Sequence, residues 1–158
     1  MNFRVGFGFD THALIPGSGL RLGGVTIPFD KTFKAHSDGD VLIHAIIDGL
    51  LGAAGLPDIG NQFPDTDPAY KGIDSAILLK ETIERITARG FSVGNIDTTI
   101  VLQNPKIATR IPAIVDTLSK TMNLAPDCIS VKAKTSEKLG FIGREEGVSA
   151  YAVVLLTR

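Results

Sequence analysis

An α+β fold, a mixed β-sheet with helices packed on one face, follows from three features of this sequence. The opening FRVGFGFD alternates Phe3, Val5, Phe7 and Phe9 with Arg4, Gly6, Gly8 and Asp10, which is the two-residue period of a strand. The closing GVSAYAVVLLTR is apolar on both alternating faces, with Val148, Ala150, Ala152, Val154 and Leu156 on one and Tyr151, Val153 and Leu155 on the other. Between these ends, apolar residues recur at helical spacing in three stretches. Three helices cover one face of such a sheet, so its second apolar face is expected to meet another subunit.

Taken in order, the first strand is expected to turn its odd positions to the core, and Asp10 and His12 to leave its end on the other side. Pro16, Gly17, Ser18 and Gly19 mark a turn, and residues 20–29 form a short hairpin broken at Gly23 and Gly24. Ser37, Asp38 and Gly39 precede VLIHAIIDGLL, which predicts a capped helix over about residues 39–54. Residues 58–72 are an irregular loop rich in Asp, Pro and Gly, a length that points to function. Asp74 and Ser75 cap a second helix with Ile77, Leu78, Ile83 and Ile86 on its stripe, and Gly90 stops it. Residues 96–103 read as a strand ended by Asn104 and Pro105. A third helix begins near Pro112, tolerated in a first turn, and runs through Ile114, Leu118 and Met122. Residues 128–134 form a strand with Ile129, Val131 and Ala133 on one face.

Composition bounds the partners. A chain of 158 residues with 44% hydrophobic content buries one core, so residues 1–158 are expected to form a single domain. A net charge of −1 supplies neither a basic stripe for nucleic acid nor a polybasic membrane patch. No apolar stretch reaches transmembrane length. Asp38, Asp40, Asp48, Asp58, Asp65, Asp67 and Asp74 form an acidic stretch relieved only by Lys71, which suits cations or sugar hydroxyls. Lys106, Arg110, Lys132, Lys134, Lys138 and Arg144 restore positive charge later. Cys128 is the only cysteine, which excludes an internal disulfide, fits a reducing compartment, and reads as a small buried hydrophobe in its strand. The start lacks the basic region and apolar run of a secretory signal. The expected location is cytoplasmic, or a plastid stroma where a transit peptide has been removed.

Asp10, His12 and His44 make the most informative constellation. One carboxylate and two imidazoles suit zinc, and stopping at three ligands leaves a position for substrate or water. A turn aspartate, a solvated loop histidine and a hydrogen-bonded helix histidine would account for them singly. All three histidines, His12, His36 and His44, fall in one short stretch, and Asp40 and Asp48 lie four residues either side of His44. Either aspartate is placed to orient its imidazole from behind. Farther on, KAKTSEKLGFIGREEG combines Thr135, Ser136 and Glu137 with Gly140, Gly143 and Gly147. Hydroxyls and glycine-freed amides bind phosphate oxygens, and a carboxylate holds a cation bridging two phosphates. A Gly-rich connection between strands, with Glu137 and Lys138 as a solvated pair, explains the segment equally well.

Together GFGFDTHAL, AHSDGDVLIHAIIDGLLGAAGLPDIGNQFPDTDPAYKG, LQNPKI and KAKTSEKLGFIGREEGV resemble, in content and order, the 2-C-methyl-D-erythritol 2,4-cyclodiphosphate synthase family. The resemblance implies a CMP-forming lyase of non-mevalonate isoprenoid biosynthesis, a zinc enzyme whose sheet face forms homotrimer contacts. It implies zinc at Asp10, His12 and His44, and magnesium or manganese at Glu137. His36 and Thr135 are the implied catalytic residues, with His36 and Ser37 at the diphosphate. Asp58, Ile59 and Gly60 correspond to positions that hold ribose and methylerythritol, and Phe63, Pro64, Asp65, Thr66 and Asp67 to the loop over the substrate. Leu102, Gln103, Asn104, Pro105, Lys106, Ile107 and Ala108 match the cytosine wall. Lys134, Ser136, Phe141 and Arg144 complete the substrate match, although Lys134, Thr135 and Ser136 stand where many relatives have three threonines. Arg144 and Glu146 are also candidates to meet an isoprenoid diphosphate on the trimer axis. Another metal-dependent phosphodiesterase, admitting water in place of an internal phosphate, is the first rival. A non-catalytic trimeric metal-binding protein is the second.

Overall fold

The computed structural model describes residues 2–158. Its strands are β1 (Phe3–Pro16), β2 (Leu20–Leu22), β3 (Val25–Ile27), β4 (Lys31–Phe33), β5 (Ser92–Val101), β6 (Ile129–Lys134) and β7 (Gly147–Thr157). Its helices are α1 (Val41–Ala53), α2 (Ile59–Gln62), α3 (Ser75–Ala88), α4 (Ile111–Met122) and α5 (Gly140–Gly143). Five strands form one sheet in the order β4-β1-β7-β5-β6, while β2 and β3 pair separately. The β5–β6 pair is parallel and the other pairs are antiparallel. The expected mixed sheet is therefore present. Helices α1 and α4 pack on the sheet, and α3 packs against both of them.

The core lies between the sheet and α1. Val148, Ala150, Ala152, Val154 and Leu156 of β7 are fully buried there, as are Leu42, Ile43, Ile46, Ile47, Leu50 and Leu51 of α1. A helix apolar around its whole circumference has to be enclosed, and α3 covers the side of α1 turned away from the strands.

The polarity of β1 reverses the expectation. Its buried positions include Gly6 and Gly8, while Phe3, Val5, Phe7 and Phe9 are 54%, 71%, 63% and 47% exposed. The physical reason is the closeness of α1. A Cβ on Gly8 would lie 1.8 Å from the Ala45 carbonyl oxygen, and one on Gly6 would lie 1.9 Å from that of Gly49. The odd positions consequently join Tyr151 and Val153 on the outer sheet face, where Phe9 and Tyr151 stack with centroids 5.2 Å apart. The strand also outruns its expected end. Asp10 pairs with Ala150 and His12 with Val148, so both ligand candidates are in-strand residues on the face turned to α1.

Smaller departures accompany it. Cys128 ends a 3-10 turn before β6 and is half-buried, not seated in a strand. Ile77 is 54% exposed, and the buried stripe of α3 is Ser75, Leu78, Leu79, Thr82 and Ile86. Asp40 caps α1 by accepting from the Ile43 amide at 3.0 Å, and also takes the Gly23 and Gly24 amides at 2.9 and 2.7 Å. It thereby fastens the β2–β3 turn to the start of the helix. Burial pushes its carboxyl up to about 6 against the lowering effect of those three N–H groups.

Gly8→Ala is expected to lower stability by about 1–3 kcal/mol, the usual cost of overpacking. The measurement is the urea midpoint, with unchanged slope. An unchanged midpoint would mean that α1 withdraws without cost.

Candidate metal centre and adjoining cavities

The even face of β1 and the first turns of α1 bring Asp10, His12 and His44 together. One ligand atom from each lies within 4.8 Å of the others. His44 Nδ1 is 3.0 Å from Asp10 Oδ2, and the two imidazole centroids are 5.1 Å apart. The other ring nitrogens fix what these atoms offer. His12 Nδ1 lies 2.9 Å from the Thr11 carbonyl oxygen, an acceptor only, so it carries the proton. His12 Nε2 is left buried without a partner. His44 Nε2 faces Ser75 Oγ at 2.9 Å and Ser37 Oγ at 3.3 Å. A neutral His44 that donates there points a lone pair at a carboxylate oxygen. Lone pairs converging without a donor are repulsive unless a cation lies among them, so the donor set fits a divalent metal.

Neither carboxylate expected behind His44 is bonded to its imidazole. Asp40 is occupied by the hairpin and the helix cap, and Asp48 accepts from the Ile59 amide at 2.8 Å. Burial raises the Asp48 carboxyl above its usual value, and the Ile59 N–H acts against this. Ser75 holds the place instead. Its position after Asp74 reads in sequence only as part of a helix cap.

A cavity of about 330 Å³ adjoins the cluster, lined by Asp10, His12, His36, Ser37, His44, Ile59, Gly60, Phe63 and Asp65, with Tyr70 among others. Phe63 is buried, with the Arg85 guanidinium 4.5 Å from its ring centroid and Tyr70 edge-on at 5.6 Å, so it anchors the loop. Asp58 caps α2 and is exposed. The Asn61 side chain and backbone amides, at 2.9 and 3.0 Å, lower its pKa. Asp67 caps the 3-10 turn at Pro68–Tyr70. Pro64, Thr66 and Asp67 continue the loop outside the cavity lining.

The remaining expected residues gather elsewhere. Leu102, Gln103, Pro105, Lys106, Ile107 and Ala108 line a second cavity of about 120 Å³ with Lys134 and Thr135. Leu102 and Ile107 are buried in the core. Asn104 instead binds Glu145 at 2.5 Å. Thr135 Oγ1 donates to Glu137 Oε1 at 3.0 Å, and Ser136 Oγ to the Leu139 carbonyl at 2.7 Å. Phe141 is 42% exposed on α5, and Arg144 pairs with Glu146 at 2.9 and 3.1 Å. No residue lines both cavities.

A mixed sheet with a two-histidine, one-aspartate cluster that could hold a metal ion, beside an acidic loop, defines the class of α+β protein. Within it, the model of the YgbB family matches residues 3–157, and the chain belongs to this family. It is 55% identical over 155 residues to the 2-C-methyl-D-erythritol 2,4-cyclodiphosphate synthase of Thioalkalivibrio sulfidiphilus, covering 98% of this chain and 97% of that protein. Identity to the synthase of Ralstonia pickettii is 52% over 158 residues, covering 100% of this chain and 94% of that protein. Among solved structures, a CDP-bound form of a 2C-methyl-D-erythritol-2,4-cyclodiphosphate synthase matches with TM-score 0.90 and 43% identity, covering 98% of this chain and 100% of that chain. Among the described residues, no helix is long and apolar enough to cross a membrane.

Asp48→Ala is expected to speed hydrogen exchange at the Ile59 amide by about tenfold or more, since a bond to a charged acceptor contributes roughly 1.5–3 kcal/mol. Exchange at the wild-type rate would leave Phe63 as the sole anchor of this wall.

Proposed function

We propose that this chain converts 4-diphosphocytidyl-2-C-methyl-D-erythritol 2-phosphate to 2-C-methyl-D-erythritol 2,4-cyclodiphosphate and CMP, in non-mevalonate isoprenoid biosynthesis. It acts as a phosphorus–oxygen lyase. The observation that carries the reading is the convergence of Asp10, His12 and His44 lone pairs beside a cavity, in a chain 55% identical to a protein named for this product. The substrate's 2-phosphate attacks the β-phosphorus, and the bond from that phosphorus to the CMP oxygen breaks. Nucleophile and electrophile share one flexible molecule, so orientation dominates, and fixing near-attack geometry lowers the barrier by roughly 7–11 kcal/mol. No protein nucleophile is required.

Zinc on Asp10, His12 and His44, and magnesium or manganese on Glu137, would polarise phosphate oxygens and neutralise charge on the departing CMP. His36 and Thr135 stabilise the reacting phosphates, and Ser37 binds the diphosphate. Asp58, Ile59 and Gly60 hold sugar hydroxyls under the loop of Phe63, Pro64, Asp65, Thr66 and Asp67. The segment from Leu102 to Ala108, with Lys106, recognises cytosine through backbone groups, and Lys134, Ser136, Phe141 and Arg144 complete the substrate contacts.

The working form is a homotrimer of single-domain chains, with each active site between two subunits. Two facts support this: the metal-side and nucleotide-side residues line separate cavities, and the outer face of β1 and β7 is apolar and exposed. The reaction belongs in bacterial-type cytoplasm or a plastid stroma.

His44→Ala is expected to lower zinc content and abolish CMP release while keeping the fold, because two ligands bind zinc weakly. Metal analysis and phosphorus NMR of the product are the checks. Stoichiometric zinc with normal turnover would remove His44 from the site, and an open monoester product would indicate hydrolysis.

Mixing tests the shared site. His44→Ala and Glu137→Ala chains, each inactive alone, are co-refolded into mixed trimers. In a cyclic head-to-tail trimer about one quarter of interfaces join two intact halves, so activity is expected to return. Background activity in trimers verified by mass spectrometry would place each site within one chain.

A further inference from the structure

We propose that Ser75, backed by Asp38, is a positioning residue that locks the His44 ring with Nδ1 facing the metal. The proposal rests on the zinc reading above. Ser75 is the first residue of α3 and has no solvent exposure. Its hydroxyl is not needed for the helix cap, because Asp74 already accepts from the Ala76 amide at 2.8 Å. Instead Ser75 Oγ stands between two side chains, 2.9 Å from His44 Nε2 and 2.5 Å from Asp38 Oδ1.

The direction of these bonds follows from what surrounds Asp38. Its Oδ1 also accepts from the Asp40 amide at 3.1 Å, its Oδ2 accepts from the Ser75 amide at 3.0 Å, and Arg21 Nε lies 3.8 Å from Oδ2. An ionised carboxylate only accepts, so the single proton of the Ser75 hydroxyl points to Asp38. The remaining lone pair of Oγ then faces His44, whose Nε2 must donate. Nδ1 is left bare toward Asp10, which is the tautomer a metal ligand requires. Ser37 offers Nε2 a longer contact, at 3.3 Å, and its oxygen is shared with the Gly39 amide.

The two imidazoles differ in a way that can be tested. The Thr11 carbonyl fixes the tautomer of His12, and substitution cannot remove a backbone acceptor. His44 depends on a hydroxyl that substitution deletes. Without it the ring is free to flip about its Cβ–Cγ bond or to exchange tautomers. Loss of such an outer partner typically lowers metal affinity about 10–100-fold.

Zinc affinity of wild type and Ser75→Ala is measured by competition with a chelating dye, and the visible spectrum of each is recorded with cobalt(II) in place of zinc. The expected result is a dissociation constant raised about 10–100-fold and altered cobalt bands, with thermal unfolding of the metal-free protein little changed. Equal affinity and identical spectra overturn the relay, whatever happens to stability. A wild type that binds no zinc overturns the metal reading and this proposal with it. An independent measurement needs no variant. In wild-type protein loaded with cadmium-113 and labelled with nitrogen-15 at histidine, the metal is expected to couple to His44 Nδ1, and coupling to Nε2 would overturn the proposal.

Discussion

The close approach of β1 to α1 is the constraint on which the site depends. At Gly6 and Gly8 the strand has no side chain, and the helix carbonyls of Gly49 and Ala45 occupy the space where a Cβ would stand. Two residues farther along the same face come Asp10 and then His12, and one position before Ala45 comes His44. A side chain at position 8 would push the helix outward, and the 3.0 Å contact between His44 Nδ1 and Asp10 would open with it. The candidate ligand cluster is therefore a consequence of backbone packing. The enclosing apolar residues of α1, buried on nearly every side, hold the helix in that contact.

The same constraint separates what is legible in the sequence from what is not. The two-residue alternation of residues 3–10 is plain, but the face it buries is not. Hydrophobicity alone assigns four large apolar side chains to the core, and only three-dimensional packing shows that two glycines give α1 a nearer seat. The three long helices are read well because caps and stops coincide with the periodicity, as at Asp74 and Gly90, although the cap of α1 is Asp40 and not the preceding Ser37, Asp38 and Gly39. Asp10, His12 and His44 are legible as candidate ligands by chemical type, and the fold brings them together. The group behind His44 is not, because helical spacing points to Asp40 and Asp48, whereas the partner is Ser75, 31 residues away in sequence. Contacts of that range leave no local pattern.

Carboxylates act as fasteners around the cluster, Asp40 fully buried and Asp38 and Asp48 half-buried. Asp40 gathers the hairpin turn and the α1 N-terminus, Asp48 holds the start of α2, and Asp38 joins the segment before α1 to the start of α3. Each accepts backbone amides that would otherwise be unsatisfied at turns and helix ends. The acidic stretch is thus largely committed to internal bonds along the helices, and the exposed Asp58 and Asp65 and the half-buried Asp67 lie on the loop beside the cavity. The division explains why one stretch both builds the wall and faces the proposed substrate.

Strand register accounts for the separation of the two cavities. His12 pairs with Val148, and Val101 with Ser149 and Lys134, so His12 stands level with Leu102 and Thr135, one residue beyond those last pairs. Strands β1, β5 and β6 run in the same direction, which puts both groups at one end of the sheet. His12 and Thr135 are nevertheless three strand spacings apart, about 14 Å at the usual separation, with β7 and β5 between. A two-fold contact uses the same patch on both subunits, so it joins unlike halves only where that one patch contains both groups. A head-to-tail cyclic contact sets the β1 side of one subunit against the β6 edge of the next. It brings unlike halves together at a common height, and a closed ring leaves no half without its complement. The proposed trimer therefore resolves an arrangement that a single chain leaves divided.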